Sequence, residues 1–283
     1  MADDTNSSQP ADSGASLKKK GGNKNMMIIA VVLVVVVALV AVVVLGGLLN
    51  SDNRTALEKI QERGQIIVGT QVPYPPFENI NISSGELEGI DIEIMYYIGE
   101  KLGVTIVFTP MAFDPIFAAV QTGQIDCAIS SITITDARDE VNDFSLPYYV
   151  ANQAVLVHES STIADLDDLN DSELVSQLGT TGQWWVDENL SPQSNIPLDD
   201  VPAAVVGVEN GLYDAFIVDT PVANKYANDT NYNLKVAFVI YTFESYGILI
   251  PEDEPELKAA IDAAITEMIA DGTLDEIMLK WLE

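Results

Sequence analysis

The chain of 283 residues carries 43 acidic against 13 basic side chains, a formal net charge of −30. A surface of that sign excludes nucleic acid as a partner, because phosphate binding needs positive charge. One cysteine and one histidine exclude an intramolecular disulfide and Cys/His metal clusters, while 48% hydrophobic residues supply a substantial core.

In chain order, the first feature is an uncharged apolar run from Met26 to Leu49, 24 residues long. At about 1.5 Å per residue it is long enough to cross a bilayer. Lys18, Lys19, Lys20 and Lys24 precede it, which places that side in the cytoplasm. The exit, Leu45-Gly46-Gly47-Leu48-Leu49-Asn50, offers no small-x-small cleavage site. The reading is an uncleaved signal anchor: residues 1–25 a cytoplasmic tail, 26–49 the span, 50–63 a linker, and the remainder outside the cell membrane. A lipoprotein would need a cysteine at the end of the run, and the sole cysteine is Cys127. Lys19-Lys20-Gly21-Gly22 resembles a pilin-type processing site, against which Lys24 counts. Five sequons, at Asn53, Asn81, Asn170, Asn189 and Asn228, fit an exported domain.

Beyond Gly64, Gln65 to Gly69 reads as a buried strand. Ile90, Ile94, Tyr97, Ile98 and Leu102 repeat at helical spacing, and Gly103 closes that helix. Val104 to Phe108 reads as a strand. Asp114-Pro115 offers an N-cap and a first-turn proline for a helix that stops at Gly123. Asp126 to Ile129 is a third strand, with Cys127 a small buried side chain. Strand and helix alternating in this way predict βαβ units and a parallel sheet. The same grammar restarts with apolar runs at Leu174–Leu178 and Ala203–Val208, and with a strand from Asp214 that ends at Asp219. A helix through Leu257, Ile261, Ile265 and Met268 ends at Gly272, and a last one runs through Leu274, Ile277, Met278 and Trp281. Two α/β units imply two lobes with a cleft between them, where small molecules bind.

Ser131-Ile132-Thr133-Ile134-Thr135-Asp136-Ala137-Arg138 carries the most chemistry. An arginine just past a strand end, in a chain poor in basic residues, is either a bidentate carboxylate clamp or a surface residue paired with Asp139 or Glu140. Gly179-Thr180-Thr181-Gly182 is either an ordinary tight turn or an anion-binding helix entry, since the N–H groups and dipole of the helix at Gln183-Trp184-Trp185 favour negative charge. Thr220 stands at the expected N-cap of a helix with Pro221 at its first position, which leaves Asp219 free to face the cleft. Tyr74 and Phe113 are ligand-stacking rings or core. Of Trp184 and Trp185, one packs on the second lobe and the other lines the rim.

The run Thr133-x-Thr135-x-x-Arg138 followed by Phe144-Ser145-x-x-Tyr148-Tyr149 resembles the signature of the polar amino acid solute-binding proteins of ABC importers. Val68 to Glu78, Gly89-Ile90-Asp91-Ile92-Glu93, Leu178 to Gly182 and Val218 to Pro221 resemble further blocks of that family in the same order, over about residues 64 to 283. The resemblance implies an α/β, two-lobed periplasmic-binding-protein-like fold (type II), preceded here by the transmembrane helix, with lobe 1 at 64–150 plus 246–283 and lobe 2 at 151–245. It implies that Arg138 binds the ligand α-carboxylate with Thr133 and Thr181, that Asp219 accepts the α-ammonium, and that Ser131, Tyr74, Phe113, Gln71 and Gln177 complete the site. Gln71 departs from relatives that prefer basic ligands and carry an acid there, which points to an uncharged, glutamine-like side chain.

The implied partners are a free amino acid, the permease and ATPase subunits of the importer, and the membrane through the N-terminal helix, with the protein itself a monomer. No cofactor or metal is implied: His158 lacks a nucleophile partner, and the acidic stretch 165–171 lacks the glycine and oxygen ligand of a calcium loop. Closure would hinge at Tyr149–Asn152 and Glu244–Tyr246. Two other classes were weighed. An enzyme on this fold, such as a cyclohexadienyl or arogenate dehydratase, needs a cleft acid or base aimed at substrate in place of a complete zwitterion site, and a ligand-sensing input protein needs an attached signalling segment.

Overall fold

Glycine stops and side-chain caps set several of the helix ends. The computed structural model describes residues 54 to 282. The apolar run at 26–49, its lysines and the Asn53 sequon lie outside the described residues. Among the described residues no helix is long and apolar enough to cross a membrane.

The chain enters on helix α1 (Ala56–Arg63), fixed by a reciprocal cap in which Thr55 and Glu58 each accept the other's backbone N–H. Residues 50–63 are therefore not linker throughout. Ile60 is fully buried and the Ala56 N–H donates to the Glu254 carboxylate, which ties α1 into the folded body. There follow strand β1 (Gln65–Thr70), a small hairpin of β2 (Asn79–Ile80) and β3 (Leu87–Glu88), and helix α2 (Ile90–Leu102). Gly103 ends α2 in the left-handed conformation, as its position predicts.

Strand β4 (Thr105–Pro110) leads to α3 (Pro115–Gln121), then β5 (Cys127–Ala128), the short α4 (Asp136–Asp139) and β6 (Asp143–Phe144). Asp114 does not cap α3 with its side chain as predicted; its own backbone is already helical, so the carboxylate is out of reach of the first-turn N–H groups. Then come β7 (Tyr149–His158), β8 (Glu173–Gln177), α5 (Thr181–Asn189), β9 (Ser194–Leu198), α6 (Val201–Glu209), β10 (Ala215–Asp219) and α7 (Thr220–Ala227). The chain returns through β11 (Leu234–Tyr246) and β12 (Leu249–Ile250), and finishes on α8 (Pro255–Asp271) and α9 (Thr273–Leu282).

Two five-stranded sheets result, ordered β4-β1-β5-β12-β6 and β11-β7-β10-β8-β9. The predicted parallel pairing holds for β4-β1-β5 and for β10-β8-β9. It gives way to antiparallel pairing at β7, β11, β12 and β6, where the chain crosses between the sheets and comes back. The central strands are covered on both faces, so successive side chains enter different cores. Phe216 and Val218 of β10 pack into one cluster, Ala215 and Ile217 into another.

The two crossing strands lie side by side, with Tyr246, Ser245 and Glu244 opposite Tyr149, Val150 and Ala151. The register then shifts: Ile240 faces Gln153, so four steps along β11 match two along β7. This bulge re-aims the side chains around it. Tyr241 and Phe243 turn out to solvent and stack on each other at 6.1 Å, and Glu244 turns inward and is nearly buried.

Candidate functional site

The loops at the strand ends of both sheets line one cavity. All nine residues singled out in the sequence line it: Gln71, Tyr74, Phe113, Ser131, Thr133 and Arg138 from the first lobe, and Gln177, Thr181 and Asp219 from the second. Ser130, Gln153, Thr180, Ile217 and Val218 join them.

Arg138 is only 5% exposed, which removes the reading of a surface ion pair. Its Nη1 donates to the Thr133 carbonyl at 2.7 Å and its Nη2 crosses to the Gly179 carbonyl at 3.0 Å. The rings of Phe117, Trp184 and Phe113 lie 4.8, 4.9 and 5.5 Å from the guanidinium carbon. Burial lowers its pKa to about 10, partly offset by the negative charges of Glu244 and Asp219, so it is charged at neutral pH. Nε has no partner within the protein. This also settles the tryptophans: Trp184 stands over Arg138, and Trp185 packs on the second-lobe core.

Asp219 sits opposite in character. It occupies the N-cap position of α7 but makes no capping bond, and Thr220, predicted to be the cap, is the first helical residue. The Thr220 hydroxyl donates instead to the Asn152 carbonyl at 2.8 Å. Asp219 is thereby left to the cleft, where it accepts from the Tyr74 hydroxyl and from Gln153 Nε2, each at 2.6 Å. Burial, reinforced by Glu244, raises its pKa to about 6, against the donors Tyr246, Tyr74 and Gln153 that favour the anion.

Between these ends lies a neutral pair. Gln177 Nε2 donates to Gln71 Oε1 at 2.7 Å, and Gln71 Nε2 reaches the Asp199 carbonyl at 3.3 Å, so the two amides join the lobes. Behind the cavity wall, Ser130 donates to Glu78 and the Ser131 N–H donates to Asp91, with both acids fully buried. Burial raises the pKa of both, that of Asp91 to about 7. Ser131 holds a left-handed backbone, φ 49°, on this support.

The Gly179–Gly182 segment is a helix entry, not merely a turn. Thr180 caps α5 by accepting the Gln183 N–H, and its hydroxyl donates to the Gln177 carbonyl. A side chain at Gly182 would begin 2.7 Å from Gln153 Oε1, and one at Gly179 would begin 2.7 Å from an Asp114 carboxylate oxygen at a φ of +76°. At Gly179 the left-handed backbone favours glycine, at the point where the second lobe meets Asp114 of the first.

One departure concerns the threonines. The hydroxyls of Thr133 and Thr181 both donate to Glu244 Oε2, at 2.8 and 2.5 Å. Glu244 Oε1 accepts from Gln153 Nε2 at 3.0 Å. Sequence reasoning missed Ser130, Gln153, Thr180, Ile217 and Val218 on the cavity wall, and Glu244, which lies outside that wall in an adjoining pocket and reaches it through the two threonines.

A family model described as bacterial extracellular solute-binding proteins, family 3, matches residues 66–283. The chain belongs to this family. The L-cystine-binding protein of Escherichia coli K12 is 31% identical over 227 residues, covering 80% of this chain and 85% of that protein. An ancestral arginine-binding protein bound to glutamine is 36% identical with a TM-score of 0.74, over 77% of this chain and 98% of that one. An ancestral amino acid-binding protein, a precursor of cyclohexadienyl dehydratase, is 32% identical at a TM-score of 0.74, over 81% and 100%. The family 3 fold accounts for the two lobes and for the crossing strands between them.

Proposed function

We propose that this family 3 protein is the extracytoplasmic receptor of an ABC importer and that it binds a free amino acid as its zwitterion. The observation that carries the reading is the pairing of Arg138, permanently charged and with an unpartnered Nε, with Asp219 in one cavity. A fixed cation and a carboxylate in one enclosed site match an α-carboxylate and an α-ammonium. The Gln71–Gln177 amide pair offers neutral donors and acceptors to the rest of the ligand, which supports an uncharged polar side chain such as that of glutamine. The relatives above are named for cystine or for arginine, the latter bound to glutamine, all of them polar amino acids. Asp219 is tied to Tyr74 and Gln153, as a fixed ammonium acceptor would be, which favours binding over a dehydratase reaction.

Lobe 1 is taken as 64–150 plus 246–283 and lobe 2 as 151–245, closing about the paired segments Tyr149–Asn152 and Glu244–Tyr246. The uncharged run 26–49 behind its lysines would hold this monomer to the outer face of the cell membrane beside the permease and ATPase subunits. The test is a thermal-shift panel of the twenty amino acids on the full chain in detergent. Ligand at 100 times its Kd adds about 2.7 kcal/mol. A flat response to all twenty ends the proposal, and release of the chain by alkaline carbonate washing of membranes ends the anchor.

A further inference from the structure

We infer that Glu244 is an internal stand-in for the ligand carboxylate, a latch that joins the lobes and competes with the bound amino acid. The inference rests on the zwitterion reading above. Thr133 belongs to the first lobe, where it bridges to Tyr246, and Thr181 opens α5 on the second. One oxygen of Glu244 accepts a hydroxyl from each, at 2.8 and 2.5 Å, and so ties the lobes through a residue of the crossing strand itself. Hydrogen bonds to a charged acceptor are the stronger kind.

A hydroxyl has one proton to give. Both threonine protons go to Glu244, so an α-carboxylate at Arg138 cannot have them while Glu244 keeps its place. Glu244 also lends negative charge to Arg138 and repels Asp219. An incoming carboxylate at Arg138 would meet that same negative charge. Binding therefore requires Glu244 to withdraw. The bulge at Tyr241–Phe243 provides the means, because these residues sit outside the β7–β11 ladder with their rings in solvent and Phe243 at a φ of +52°.

The test uses the full chain in detergent, spin-labelled at the exposed positions Ser84 and Ser191, one on each lobe, with Cys127 buried and silent. Glu244→Ala and the milder Glu244→Gln are compared with the parent chain by electron–electron distance measurement without ligand and by calorimetry with L-glutamine as probe. The expected result is a longer, broader distance distribution in both variants and an affinity for L-glutamine about tenfold tighter in Glu244→Ala. An unchanged distance distribution overturns the latch. A longer distance with weaker affinity overturns the competition and makes Glu244 a contact of the ligand ammonium. If the parent chain does not bind L-glutamine, the glutamine-like reading fails, and the distances still decide the latch.

Discussion

The two ends of the cleft hold their charges in opposite ways. Arg138 is wrapped by three aromatic rings and two backbone carbonyls, and burial brings its pKa only to about 10. Asp219 is held by the neutral donors Tyr74 and Gln153 with Glu244 nearby, and burial brings its pKa up to about 6. Similar burial has unequal consequences because the ordinary pKa of the guanidinium, 12.5, lies further from neutral pH than that of the carboxyl, 3.8. The difference teaches that one end of the site is constant and the other is poised to titrate.

The largest effect expected from breaking that contrast is at the constant end. Arg138→Ala should weaken amino acid binding by at least about 100-fold, since it removes one member of a buried charge arrangement. Arg138→Lys should recover little of it, because an ammonium cannot reach the Thr133 and Gly179 carbonyls and still present a flat donor edge. Calorimetry on both variants decides this, and a lysine variant within threefold of the parent would refute the forked-donor role.

At the poised end the effect is smaller and depends on pH. A ligand ammonium favours ionised Asp219, so below about pH 6 a proton must leave before the ligand can bind. Affinity should fall about tenfold per pH unit there and be level above pH 7. Asp219→Asn should bind about 10-fold to 100-fold more weakly above pH 7 and lose the slope below 6. A slope that persists in the asparagine variant would place the titrating group elsewhere.

The smallest effect is on stability, in the support behind the first lobe. Asp91 has an ordinary pKa of 3.8 and about 7 in the folded protein, chiefly through burial. The folded state holds this proton more tightly than the unfolded one, so the contribution is full below about pH 4 and is lost as pH rises to 7. Asp91→Asn keeps an acceptor for the Ser131 N–H and supplies a donor toward Glu78. Its urea midpoint should decline less than the parent's between pH 4 and 7. Parallel decline in the two proteins would locate the pH response in the acidic surface.

How much of this was legible in the sequence depends on the range of the interaction. The bounds of α2 were readable from local spacing and Gly103, and seven of the nine cavity residues from short motifs whose order carries the family resemblance, Phe113 and Gln177 lying outside them. Asp114 and Thr220 failed as caps because a cap depends on backbone angles that residue type alone does not fix. Gln153 and Glu244 were hidden for a different reason. They meet across 91 positions, and what turns Glu244 inward is a register shift with no signature in its own segment. Glu244 was legible as a position on the crossing strand, and its inward contacts were not.

The meeting of Tyr149 with Tyr246 has a further meaning. Every strand of the first sheet lies before residue 149 or after residue 246, so the intervening stretch begins and ends at one spot. The second lobe is thus spliced into the first like a cassette whose two ends share a single joint. The carboxylate Asp219 and half of the amide pair belong to the cassette, while Arg138 stays with the host.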